Sequence, residues 1–259
     1  MSDSLGDSSD TSTSTADSLA GFVPVLQLPP SLAALVDADR LIVQQDSYDK
    51  NVKRSSILNM YEVIANNSSD QWEKLISFQE ESTHCMRAFC GNYRRFSMRG
   101  TVNGQTELVL ERPLRCPANL CCCCPYELRV LRDGECVGSI GQVPSLAHNK
   151  FIIYDGDHYP QLVLKGPMFA YHCCLDLVFK LYSRSGGRSI GRLIRRWRDD
   201  QDVFHVAFPR DLHVRMKLLL MTATILIVSC SDNLVYGSFT KSFEPDFREN
   251  FYSNFFLIL

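Results

Sequence analysis

From about residue 61 onward, apolar and polar residues alternate over short stretches, the period of a half-buried strand. YEVIAN, RRFSMRGTV, TELVLERPL, YELRVLRD, CVGSIGQV, KFIIYD, YPQLVLKG, LDLVFKLYS, RSIGRLIRRW and VFHVAFP are rich in β-branched and aromatic side chains, which suit a pleated surface. Between several of them lie Asn103-Gly104, Asp133-Gly134, Asp155-Gly156 and Gly186-Gly187, pairs that tolerate the backbone of a tight hairpin turn. Many strands at near-regular intervals, with little helix, predict a mainly β chain folded as an antiparallel barrel or sandwich. Internal repeats are not evident.

Two segments break this rhythm. LAALVDADRLIVQQ, starting at Leu32, carries apolar residues at mixed spacing and predicts a short helix leading into a strand. DLHVRMKLLLMTATILIVSCSD holds an apolar run from Leu218 to Cys230. As a helix that run extends only about 20 Å, whereas a bilayer core is about 30 Å thick. Starting it at Leu212 would include His213, Arg215 and Lys217 without adding hydrophobic length. A helix apolar on all sides is buried, so the length favours a helix near 212–230 threaded through the barrel over one that spans a membrane.

Composition sets the boundaries. The first twenty residues have almost no apolar surface to offset chain entropy, and Pro24, Pro29 and Pro30 follow, so 1–31 reads as a disordered Ser/Thr/Asp-rich, proline-bearing tail. That tail is a plain spacer or a weak ligand for a proline-binding module. Residues 32–236 form one domain, and 237–259 a divergent tail ending in the apolar FYSNFFLIL. At 259 residues, 45% hydrophobic and 22% charged, the chain is long enough for a substantial core, and its net charge of −2 gives no general drive toward nucleic acid. Eleven cysteines without a secretory signal fit a reducing, cytosol-facing location. There is no G-x-S-x-G elbow, phosphate loop, H-E-x-x-H pair or nucleotide fingerprint, and His84-Cys85 and His172-Cys173 would point apart on a strand, so covalent catalysis is not expected.

Two clusters remain. Cys121, Cys122, Cys123 and Cys124 are adjacent, which suits neither disulfide geometry nor zinc, since only Cys121 and Cys124 have ligand spacing. They are either acceptors for fatty acylation at a membrane surface or reduced thiols packed as small apolar groups. Arg192, Arg195, Arg196 and Arg198 surround Trp197. This basic patch would meet anionic headgroups, an import receptor or nucleic acid, or else it is a strand whose alternate residues face water beside Asp199, Asp200 and Asp202. Nucleic acid is the least favoured partner, because the whole chain is not basic.

PPSLAALVDADRLIVQQ, ELVLERPLRC, the cysteine block, VGSIGQV, LVLKGPMFAYHCCLDLVFKLYS and DDQDVFHVAFPRDLHVRMK occur in the order seen in the phospholipid scramblase family, which the chain resembles over nearly all of Pro29 to Cys230. The resemblance implies a closed twelve-stranded tubby-like antiparallel barrel around a hydrophobic C-terminal helix. It also implies calcium-dependent, ATP-independent, bidirectional movement of membrane phospholipids between leaflets. The plasma membrane is the expected site, with internal membranes and the nucleus as alternatives. A binding or adaptor module on the same fold, without translocation, is the competing expectation.

The family's palmitoylation motif falls on Cys121 to Cys124, here without an internal proline. Its calcium segment falls on Asp200 through Asp211, with Asp200, Asp202 and Asp211 as side-chain ligands and Val206 offering its carbonyl. Calcium wants six to eight oxygens, and this segment has Phe204, His205 and Phe208 where an EF-hand loop has oxygens or glycine, so the implied site is weak and a barrel strand competes with it. The chain departs from the family in a shortened connector between Trp197 and Asp199 and in the sequence after Cys230, and both are expected to threaten barrel closure or activity.

Overall fold

Twelve strands, each antiparallel to its neighbour in sequence, close on themselves where the last pairs with the first. The computed structural model describes residues 32–45, 59–66, 70–83, 85, 94–114, 125–144, 149–167, 176–198 and 201–236. A short helix, α1 (Ala34–Asp37), leads into β1 (Arg40–Gln45), β2 (Met60–Asn66), β3 (Trp72–Glu81), β4 (Phe96–Val102), β5 (Gln105–Arg112) and β6 (Glu127–Arg132). There follow β7 (Glu135–Val143), β8 (Asn149–Asp155), β9 (Pro160–Gly166), β10 (Leu177–Ser183), β11 (Gly191–Arg198), β12 (Gln201–Ala207) and a long helix, α2 (Val214–Tyr236). The expected barrel is present.

Turn chemistry sets much of the register. Asn103 and Gly104 have φ of 49° and 81°, and Asp133 and Gly134 have 50° and 82°, the paired left-handed residues of a type I′ hairpin. Asp155-Gly156 behaves differently. There the left-handed residue is His158, at φ 62°. The Asp155 carboxylate closes this loop by accepting the amides of Asp157 at 3.1 Å and Tyr159 at 2.8 Å.

The barrel closes with the shortened connector. Strands β11 and β12 pair from Arg192 opposite Ala207 to Arg198 opposite Gln201, leaving only 199–200 between them. β12 then seals the barrel against β1, from Arg40 opposite Ala207 to Gln44 opposite Val203.

Strand β3 was hidden in the sequence by a bulge. Val63 pairs with Ile76 but Ile64 pairs with Lys74, so Leu75 is an extra residue and two consecutive side chains, Leu75 and Ile76, are buried. One inserted residue erases the alternation on which strand recognition depends.

The up-and-down order gives the barrel two ends. Even-numbered strands finish at the base, beside α1 and the start of α2, and odd-numbered strands finish at the mouth. Helix α2 enters at the base and runs up the lumen. Every residue from Leu218 to Val228 is at most 1% exposed, and the helix meets β1, β6, β7, β8, β12 and α1. Its polar groups are satisfied internally: the hydroxyls of Thr222 and Thr224 donate to the carbonyls of Leu219 at 2.9 Å and Leu220 at 3.0 Å. Among the described residues no helix is long and apolar enough to cross a membrane.

Gly138 lets this packing happen. A Cβ there would fall 2.5 Å from the Tyr154 carbonyl oxygen and 2.6 Å from Leu219 Cδ1. Only the bare backbone leaves room for the helix against β7.

Candidate functional site

At the base the central helix is tied down by a buried cation. Lys217 is fully buried, and its Nζ donates to the carbonyls of Val36 at 2.6 Å, Ala38 at 2.7 Å and Arg210 at 2.7 Å. All three protons of the ammonium therefore have acceptors, which is what makes burial of a charge tolerable. Burial lowers the lysine pKa from its ordinary value, with Asp37 and Asp39 acting in the opposite direction. The neighbouring start of β1 is held by buried Asn66, which accepts from the Arg40 amide at 2.9 Å and donates to Asp39 at 2.8 Å. That bond lowers the Asp39 pKa.

The mouth holds a second polar cluster. Glu80 is fully buried and accepts from two nitrogens of Arg94, Nε at 2.7 Å and Nη2 at 2.6 Å, along with Asn59 Nδ2 at 2.6 Å and Ser82 Oγ at 2.6 Å. Burial alone would raise its pKa, but the Arg94 guanidinium and the other donors outweigh burial and hold it below the usual glutamate value. Nearby, Arg112 is 1% exposed; it lies 4.5 Å from the Tyr126 ring centroid and 5.2 Å from that of Phe96, and donates to Ser229 Oγ of α2 at 3.1 Å. The two clusters bracket an apolar lumen filled by α2, so no chain of polar groups runs from base to mouth along the described interior. The described interior offers no polar route for a phospholipid headgroup through the centre of the barrel.

Most of the segment that the resemblance assigns to calcium is a strand. Gln201–Ala207 is extended and paired on both sides, with Phe204 and Val206 buried in the core. As an interior strand, β12 has its main-chain carbonyls, that of Val206 included, in the ladders. Residue 202 lies toward the mouth, about 17 Å of strand from residue 207 at about 3.3 Å per residue, and Asp211 lies beyond that at the base. The described residues of this segment do not form the loop that would wrap one calcium ion. Asp200 lies outside the described residues, as do Pro24, Pro29, Pro30 and Cys121 to Cys124. Among the described residues no group of three or more His, Cys, Asp or Glu is placed to hold a metal.

The linear arginine patch is divided by the strand. Arg192 and Arg196 share the outer face of β11, whereas Arg195 lies in register with Leu177 and buried Phe204 on the inner face. Arg196 pairs with Asp176 at 3.6 Å. The Arg198 side chain lies outside the described residues. Sequence reasoning missed the Lys217 clasp and the Glu80–Arg94 pair. Lys217 carried a signal, a lone cation abutting the apolar run, but only the fold supplies its acceptors.

In sequence the cysteine block falls between Arg112 at the end of β5 and Glu127 at the start of β6, outside the described residues. The free thiols of Cys85 and Cys136 are exposed.

Comparison with known proteins matches the chain to a family. A family model described as Scramblase matches residues 19–231, most of the chain and nearly all of the barrel and central helix. Phospholipid scramblase 2 of Homo sapiens is 33% identical over 217 residues, covering 79% of this chain and 71% of that protein. Phospholipid scramblase 1 of Homo sapiens is 30% identical over 215 residues, and the chain spans 66% of its length. Phospholipid scramblase family member 5 of Homo sapiens is 29% identical over 217 residues, covering 79% of that protein.

Proposed function

The chain belongs to the scramblase family, and from that premise we propose that it is a membrane-anchored phospholipid scramblase, moving phospholipids in both directions between leaflets. The observation that carries this reading is the match across the whole filled barrel, to relatives named as phospholipid scramblases. Because α2 occupies the lumen, the lipid path is assigned to the protein's outer surface or to its contacts with other copies. Calcium dependence and ATP independence belong to the proposal on family membership. A wrapped calcium loop at 200–211 is not part of it.

Anchoring is assigned to palmitate on Cys121, Cys122, Cys123 and Cys124. Two or more acyl chains in one connection would hold the protein stably, at about 0.8 kcal/mol per buried CH₂. The membrane is proposed to be the plasma membrane, met from the cytosol. The proline-bearing tail is proposed as a minor contact for a proline-binding module.

A second reading has its own support in the filled lumen: a barrel with no polar interior route suits a lipid- or protein-binding adaptor. Purified full-length protein in liposomes, with a leaflet-selective fluorescent lipid, separates the two. Exchange that rises with protein and calcium, and is indifferent to ATP, supports the scramblase. Membrane-bound protein with exchange no faster than in empty liposomes supports the adaptor. For the anchor, a hydroxylamine-sensitive acyl label is expected to vanish when Cys121 to Cys124 become serine, and its persistence would move acylation elsewhere.

A further inference from the structure

Strand register assembles a cationic row that the sequence disperses. Lys150 of β8 stands opposite Lys165 of β9, Lys165 opposite Lys180 of β10, and Lys180 opposite Arg192 of β11. Their chain neighbours Phe151, Leu164, Phe179, Leu181 and Leu193 are buried, so the four cations share the outer face. Lys165, Lys180 and Arg192 are exposed and Lys150 is half-buried. At about 4.8 Å between strands, four positive charges occupy a line of roughly 14 Å.

Like charges directly opposite one another destabilise a sheet, and elsewhere this barrel avoids them. On the wall formed by β2 to β6, Lys74 pairs with Glu62 at 2.5 Å, Arg99 with the β3 residue Glu81 at 3.0 Å, and Arg129 with Glu127 at 3.1 Å. Among the described residues, none of the four cations in the row has such a partner. Within the strand residues of β8 to β11 the one carboxylate is Asp155, committed to its own loop and to Gln161 Nε2 at 2.6 Å; outside them, Asp157 lies in the turn after β8 and Asp176, just before β10, pairs with Arg196 and not with the row.

The row is flanked by apolar groups. On one side Ile152, Val163 and Tyr182 are in register, with the Lys165 ammonium 4.8 Å from the Tyr182 ring centroid. On the other, Val178, 39% exposed, stands opposite Ile194. Cations between aliphatic and tyrosine side chains match a lipid interface, where charge meets headgroups and apolar tips enter the boundary below them. A nucleic acid would use the charges but leave the aliphatic rows without a role.

We infer that the outer wall of β8 to β11 is a docking surface for an anionic leaflet, with Lys150, Lys165, Lys180 and Arg192 as its phosphate- and carboxylate-facing contacts. This surface would orient the barrel on its side against the membrane whether or not the protein translocates lipid, so its test reads binding rather than exchange.

The test uses the full chain made in a bacterial host, free of acyl chains, and cosedimentation with vesicles of phosphatidylcholine alone or with phosphatidylserine. Binding is expected to need phosphatidylserine and to weaken with salt. Each cation near an anionic surface is equivalent to about a fivefold change in partitioning, so K150Q/K165Q/K180Q should bind about a hundredfold more weakly. K74Q/R99Q/R129Q removes the same net charge from the opposite wall and is expected to bind within twofold of the wild type. Both variants should retain the wild-type circular dichroism spectrum. Equal losses in the two triples, or undiminished binding by the first, would overturn the assignment. So would tighter binding of a random single-stranded oligonucleotide than of phosphatidylserine vesicles at the same salt.

Discussion

Lys217 donates to the carbonyl of Val36 across 2.6 Å, a bond between residues 181 apart in sequence that joins the foot of the central helix to the helix preceding the barrel. The same ammonium holds Ala38 and Arg210, so one side chain fastens three segments at the base.

Replacing Lys217 by methionine keeps the stem but leaves three carbonyls without their donor. An unsatisfied buried acceptor costs about 1–3 kcal/mol, partly offset because the buried charge disappears as well. Lys217→Met should lower stability by about 2–4 kcal/mol in urea unfolding, and a loss below 0.5 kcal/mol would show that the clasp is not a structural tie.

The Glu80–Arg94 pair predicts a pH dependence. The folded pKa of Glu80 lies below its ordinary value, so the native state binds the proton less readily than the unfolded chain. Its contribution is complete above the unfolded value of about 4.3 and is lost as the pH falls through the lower folded value. Glu80→Gln leaves the Arg94 charge buried without its counter-ion and should cost about 3–5 kcal/mol at pH 7. The gap between wild type and variant should narrow on acidification below pH 5. A gap independent of pH would assign the effect to packing.

At the contact between β7 and the helix, Gly138→Ala forces a methyl group toward Leu219 Cδ1 and the Tyr154 carbonyl. Overpacking of this kind costs about 1–3 kcal/mol. A double-mutant cycle with Leu219→Ala should show positive coupling, since shortening the leucine removes one of the two obstructions. Strict additivity would mean the helix shifts away instead.

The plugged lumen makes the helix a core element, not a lipid-facing one. Leu226 is fully buried, and Leu226→Ala in detergent-free buffer should destabilise by about 2–5 kcal/mol. Thr224→Val, which removes a hydroxyl already bonded within the helix, should change stability far less. Equal and small effects at both positions would place the helix outside the barrel.

The strands that alternate cleanly, such as β8 and β9, were legible because every second side chain enters one lumen. β3 was not, because the extra residue Leu75 shifts the inward set by one. The central helix was legible from its length and its apolar surface on all sides. Its clasp was not, because two of the three carbonyls that receive Lys217, those of Val36 and Ala38, come from the far end of the chain. The division of the arginine patch follows the strand reading: Arg192 and Arg195 are three residues apart, so alternation along β11 puts them on opposite faces. The cations in register on the outer wall are twelve to fifteen residues apart along the chain and meet only through pairing.

Closure between β1 and β12 has a consequence for how other proteins can engage this one. A ring of strands has no unpaired border, so a partner cannot attach by extending the sheet with a segment of its own. Partners of the barrel must instead grip side chains on its circumference or the connections at its two ends, and a screen for extended, strand-forming peptides should find none that bind the wall.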